Sequence, residues 1–132
     1  MTSSDLKNQA EATMMKAYSP YSNFKVGAAI RTAAGHVYSG CNVENASYGL
    51  SICAERNAIM QAVAAEGPAM KLAAVVVTNY NQKGESGACS PCGACRQFMI
   101  EFATKDTTVT YPGTSGDIET TADKLLPDSF SF

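Results

Sequence analysis

Cys53-Ala54-Glu55-Arg56, answered later in the chain by Pro91-Cys92-Gly93-Ala94-Cys95, restricts this sequence more than any other feature. A C-x-x-C pair offers two thiolates three residues apart, and both can reach one zinc ion from a single turn of chain. A third ligand must come from elsewhere, and Cys53 is the candidate. Three protein ligands leave a fourth tetrahedral position open to water, which separates catalytic from structural zinc. Glu55 then sets a carboxylate beside that position. Residues i and i+2 of a regular helix point roughly 200° apart, so Cys53 and Glu55 face one metal only if Cys53 sits at a helix start. The surroundings predict such a start. Residues 47–51 read as a turn containing Gly49, and residues 54–66 are rich in helix formers, with Ile59, Ala62 and Val63 at helical spacing. Pro91 marks a second helix start, since proline favours the first turn or the approach to it, and residues 92–100 read onward as helix. Both clusters would lie near positive ends of helix dipoles, which stabilise thiolates. Arg56 is a candidate donor to Cys53 or Cys92, and Arg96 could serve the second cluster in the same way.

Composition narrows what such a site could serve. A chain of 132 residues builds one core and is too short for two, so residues 1–132 are expected to form a single domain. Its 45% hydrophobic and 17% charged content argues against disorder. A formal net charge of −2 without Lys/Arg clusters lacks the electrostatic footprint of a polynucleotide binder and favours a free small molecule. No apolar run approaches the roughly 20 residues that span a bilayer, and the first residues lack a signal-peptide pattern, so no membrane partner and a cytoplasmic location are expected. Five cysteines, an odd number, fit a disulfide framework poorly. In a reducing compartment they bind metal or sit buried as thiols. Cys89 forms an overlapping C-x-x-C with Cys92, but only Cys92 and Cys95 are preceded by proline and followed by a helical pattern. Cys89 is therefore left out of the ligand set. Cys41, within an expected strand, reads as a buried thiol. His36, the one histidine, follows Gly35 in a turn and reads as a surface residue.

The remaining elements follow from periodicity. Ser3 or Ser4 can cap a helix running to about residue 18, with Leu6, Ala10, Met14 and Ala17 on one face. Turn chemistry over residues 18–23 delivers Phe24 to a strand, residues 24–32, which pairs as a hairpin with residues 37–43. Asn42 and Glu44 alternate with Val43 and so project to one side. An amide and a carboxylate there can bond vicinal hydroxyls. A helix over residues 54–65 stops at Gly67-Pro68, and residues 72–77 are continuously apolar, as a strand covered on both faces requires. A polar loop over residues 79–88 precedes a helix to about residue 103. Strands at 107–111 and 117–121 and a helical turn at 122–126 complete an α/β domain with a mixed sheet and helices on both faces. Strand order is not fixed by these patterns.

The pair C-A-E and P-C-x-x-C matches the zinc-dependent deaminase signature, in which the glutamate is a general acid/base and not a ligand. Residues 18–24, 40–48, 90–97 and 125–130 resemble the small tetrameric cytidine deaminases, so the resemblance spans nearly the whole chain. It implies a three-layer α/β/α sandwich of five strands and one Zn2+ per subunit on Cys53, Cys92 and Cys95. Some zinc deaminases use histidine as first ligand; with none near Glu55, the set here would be three cysteines. By the same resemblance, Phe24 packs against a pyrimidine ring, Asn42 and Glu44 hold the ribose 3′-hydroxyl, and the backbone around Ala46 and Ala54 reads the base. Tyr48 would act across a subunit boundary of a homotetramer, and Phe130 would cover a neighbour's site. The implied reaction is hydrolysis of cytidine or 2′-deoxycytidine to uridine or 2′-deoxyuridine plus ammonia, in pyrimidine salvage, with Glu55 carrying protons from water to N3 and to the leaving amine. Other readings are a modified nucleoside or an RNA base as substrate, and a structural zinc module with four ligands including Cys89. A thioredoxin-like redox protein would use C-x-x-C but has no need of C-A-E.

Overall fold

The structure, a computed structural model, describes residues 3–132. Its elements are α1 (Ser3–Met14), β1 (Lys25–Thr32), β2 (Val37–Cys41), α2 (Ala54–Glu66), β3 (Leu72–Tyr80), α3 (Gly93–Phe102), β4 (Ala103–Gly113), β5 (Gly116–Thr121) and α4 (Ala122–Leu125), with a 3-10 turn at Tyr48–Leu50. The strands form one sheet in the order β2-β1-β3-β4-β5. Only the β3–β4 pair is parallel, because α3 carries the chain back across the sheet, while β1–β2 and β4–β5 are hairpins.

The central strand explains the layering. Val75 and Val77 join Ile30, Ile59, Met99 and Val109 in the core under α2 and α3, whereas Ala74 and Val76 meet Leu6 and Ala10 of α1 on the other face. Alternate side chains of β3 thus feed two cores, as its continuous apolar run requires. Each fully buried leucine, isoleucine or methionine contributes about 1.5–3 kcal/mol, and Leu6, Met14, Ile30, Ile59, Leu72 and Met99 are all in that class. Two glycines set the helix distances. A Cβ at Gly27 would stand 2.1 Å from the Ala10 carbonyl oxygen of α1, and one at Gly40 would stand 2.6 Å from the Ala58 nitrogen of α2. Only hydrogen at these points lets both helices lie against the sheet.

Several boundaries differ from the sequence reading. The first helix ends at Met14, short of residue 18, because the Tyr18 backbone is taken up elsewhere: its N–H donates to the Asn42 carbonyl and its carbonyl accepts from Glu44 N–H. Ser4 already lies inside α1, and the side chain of Ser3 lies outside the described residues. β2 stops at Cys41, and Val43 makes only single bridges to Tyr18 and Ile52. β3 and β4 run longer than expected, since their backbones pair with neighbours beyond the apolar stretch. Among the described residues no helix is long and apolar enough to cross a membrane.

Candidate active site

Two helix starts converge beside β3. Cys53 is the N-cap of α2 and Cys92 the N-cap of α3, both with extended backbone. A residue just outside the helix escapes helical spacing, so Cys53 and Glu55 reach one site despite their separation by two. The Cys92 sulfur accepts a hydrogen bond from the Cys95 N–H at 3.5 Å, which closes the first turn of α3 over the metal-binding loop. Arg96 holds that loop from behind. Its Nε donates to the Pro91 carbonyl (2.8 Å), Nη1 to the Leu125 carbonyl (2.9 Å) and Nη2 to the Ser90 hydroxyl (3.1 Å). This corrects the expectation that Arg96 bonds a thiolate: it anchors the chain leading into Cys92 to the C-terminal segment.

The Sγ atoms of Cys53, Cys92 and Cys95 all lie within 4.8 Å of one another. Cys53 and Cys92 are 3.9 Å apart, and Cys92 and Cys95 are 3.4 Å apart. Thiolates about 2.3 Å from one tetrahedral zinc ion stand about 3.8 Å from each other. The three sulfurs therefore fit zinc with small adjustment, and a soft sulfur donor set suits that ion. Cys89 is outside the cluster.

Charge is already organised for a cation. A hydrogen bond from the Cys95 thiol, opposed by burial and helped by Arg56, lowers the Cys53 thiol to about 5. Cys95 moves the other way, because it donates to Cys53 and is buried beside negative groups. Zinc ligation requires all three as thiolates, so binding the metal would release the protons they carry. Arg56 donates through Nη2 to Cys53 at 3.4 Å, the first of the two partners expected for it.

Glu55 is 4% exposed in the first turn of α2. Burial is the main force raising its carboxyl above the usual range, aided by the nearby Cys53 charge and offset by its own backbone N–H. A carboxyl shifted upward by desolvation is suited to exchanging a proton near neutral pH.

Glu55, Cys53 and Cys92 open onto one cavity of about 360 Å³. Val26 of β1, Val77 of β3 and Phe24 just before β1 line it together with Ile52 and Ala54, and Glu44 with Ser22 stands among its lining. Of the expected residues, Phe24, Asn42, Glu44, Ala54, Cys53, Glu55 and Cys92 line this cavity, with Cys95 buried behind it. Ala46, Tyr48 and Phe130 do not. Ala46 is exposed, Tyr48 flanks an adjoining groove of about 340 Å³, and Phe130 packs edge-on against Phe132 with a centroid distance of 5.2 Å. Sequence reading missed Ser22, Val26, Ser51, Ile52, Val77 and Ser90, and it set Cys89 aside although that thiol lines the cavity. Ser22 and Ile52 carried a signal as near neighbours of Phe24 and Cys53, Val26 as the next residue on the same strand face as Phe24, and Ser90 as part of the segment 90–97. A larger cavity of about 500 Å³, lined in part by Tyr18, Lys25 and Tyr80, holds none of these groups.

Asn42 and Glu44 are less free than their alternation suggested. The Asn42 amide donates to the Phe24 carbonyl (2.9 Å) and accepts from Val26 N–H (2.9 Å), so it braces the wall of the cavity. Glu44 Oε1 accepts from Tyr21 N–H (3.0 Å) and Ser22 N–H (3.1 Å), and Oε2 accepts from the Ser22 hydroxyl. The Ser22 hydroxyl is the main cause that lowers the Glu44 carboxyl.

An α/β sandwich with a three-thiol zinc site at two helix starts and a buried carboxylate alongside defines a zinc-dependent deaminase. The family described as the cytidine and deoxycytidylate deaminase zinc-binding region matches residues 1–111. The chain belongs to that family. It is 45% identical to a cytidine deaminase of Sporosarcina psychrophila over 88% of this chain and 82% of that protein. It is 41% identical to a probable cytidine deaminase of Dictyostelium discoideum over 92% and 79%. Among solved structures, a crystal structure of cytidine deaminase from Burkholderia pseudomallei superposes with a TM-score of 0.85 at 47% identity, covering 98% of this chain and all of that one.

Proposed function

We propose that the chain hydrolyses the 4-amino group of cytidine, and of 2′-deoxycytidine, to give uridine or 2′-deoxyuridine and ammonia. The observation that carries this reading is the buried carboxyl of Glu55, which opens onto the same cavity as the Cys53 and Cys92 thiols. Zinc held by Cys53, Cys92 and Cys95 would supply a water acidified by coordination. With such a water in place, Glu55 would take one proton from it and pass it to N3 of the pyrimidine as the hydroxide adds to C4, then carry the second proton to the exocyclic nitrogen, so that the C4–N bond breaks and ammonia leaves as a neutral molecule. Arg56 and the two helix N-termini keep negative charge on the sulfurs tolerable. Phe24 packs against the ring, the backbone at Ala54 reads its polar edge, and Glu44, beside Asn42, accepts the sugar 3′-hydroxyl.

The cavity lining favours a nucleoside over a nucleotide. It holds the carboxylates of Glu44 and Glu55 and, among the described residues, no lysine or arginine. A 5′-phosphate would meet negative charge without a counter-charge. Cytidine is therefore expected to be turned over well in advance of deoxycytidylate, and an oligonucleotide not at all. Loss of cytidine absorbance, measured for the three substrates with and without a chelator, tests this. Preference for deoxycytidylate, or activity that survives removal of zinc, would contradict it.

A homotetramer with shared sites belongs to the same proposal. Tyr48 is 79% exposed, Leu50 63% and Phe130 68%. Apolar groups this exposed near a site gain from burial by another subunit, where Tyr48 and Phe130 would complete a neighbour's cavity. Five free thiols support a reducing, cytoplasmic setting.

A further inference from the structure

The residue that joins the sugar end of the cavity to its aromatic wall is Ser22. Its hydroxyl donates to Glu44 Oε2 and accepts from Phe24 N–H at 3.0 Å, so one oxygen ties the carboxylate to the backbone that carries the ring wall. Asn42 holds the other side of the same residue through the Phe24 carbonyl at 2.9 Å. Asn23, between Ser22 and Phe24, has φ 56°, the left-handed turn that brings the serine hydroxyl back over the following N–H. Three donors fill most of the roughly four acceptor directions of the Glu44 carboxylate. The capacity that remains for a ligand is thereby aimed before the ligand arrives.

We propose that Ser22 is a positioning residue that sets the enzyme's discrimination for the sugar 3′-hydroxyl by fixing the Glu44 carboxylate. This rests on the reading of Glu44 as the sugar's acceptor and adds what makes that acceptor selective. A free glutamate side chain loses rotamer freedom when it binds, and prior ordering by Ser22 removes that cost from the binding step. Tyr21 N–H and Ser22 N–H hold Oε1, and the Ser22 hydroxyl is the contact that fixes the direction of Oε2.

The test compares cytidine with 3′-deoxycytidine in the full-length, zinc-loaded protein. Ordering one glutamate side chain at the binding step corresponds to up to about ten-fold in affinity. Ser22→Ala is therefore expected to raise KM for cytidine by up to about ten-fold with kcat nearly unchanged, and to leave 3′-deoxycytidine within about two-fold. Ser22→Thr, which keeps the hydroxyl, restores the preference. Ser22→Cys, similar in size with a poor donor, behaves as alanine does and covers the case in which Ser22→Ala does not fold. An equal loss for both substrates would show a merely structural serine and overturn the inference. Glu44→Gln separates the two levels. If it keeps the wild-type preference for cytidine, the reading of Glu44 fails and the inference with it. If that preference disappears while Ser22→Ala retains it, only the inference fails.

Discussion

Glu55→Gln is expected to lower kcat for cytidine by about 10² to 10⁴, the usual contribution of a positioned general acid/base. Glutamine matches glutamate in size, so the packing around a side chain that is 4% exposed is kept. It cannot accept and return a proton. Burial already lifts the Glu55 carboxyl, so replacing it with a neutral amide removes a desolvation cost, and the melting temperature should not fall. Zinc content should also persist, because the three sulfurs come from Cys53, Cys92 and Cys95. Steady-state rates, metal analysis and a thermal melt on the same preparation check the three parts. A rate within about ten-fold of wild type would remove Glu55 from the proton path, given that range.

Cys95→Ser is expected to abolish both zinc binding and activity. Cys95 is fully buried in the first turn of α3, and its sulfur lies against those of Cys53 and Cys92. A serine hydroxyl there is too weakly acidic to replace a thiolate toward zinc. Because the metal ties the start of α2 to the start of α3, its free energy of binding is also free energy of folding. The variant should therefore melt at a lower temperature than zinc-loaded wild type and match the chelated protein. Cys89→Ser is the control: it keeps full zinc, since that sulfur is outside the cluster. Loss of zinc from Cys89→Ser alone would transfer the ligand role to it.

Much of the metal site was legible because its constraint is local. Pro91, the turn over residues 47–51 and the helix formers after Cys53 demanded two helix starts, and the geometry of Cys53 with Glu55 left no other arrangement. The continuous apolar run in β3 likewise announced a strand between two cores. What escaped depends on partners distant in sequence. Alternation placed Asn42 and Glu44 on one side but could not say that Phe24, Val26 and Ser22 had already claimed their polar atoms. Arg96 beside Cys95 suggested a thiolate partner, yet the Leu125 carbonyl, 29 residues away, takes one of its donors. The first helix stops early for the same reason, as Tyr18 finds backbone partners in Asn42 and Glu44.

X-ray absorption at the zinc edge of the metal-loaded protein measures the central claim most directly. Three sulfur neighbours at about 2.3 Å and one lighter atom at about 2.0–2.2 Å are expected, the lighter atom being exchangeable water within reach of Glu55. A shell of four sulfurs would make the site structural and leave Glu55 without a water to act on.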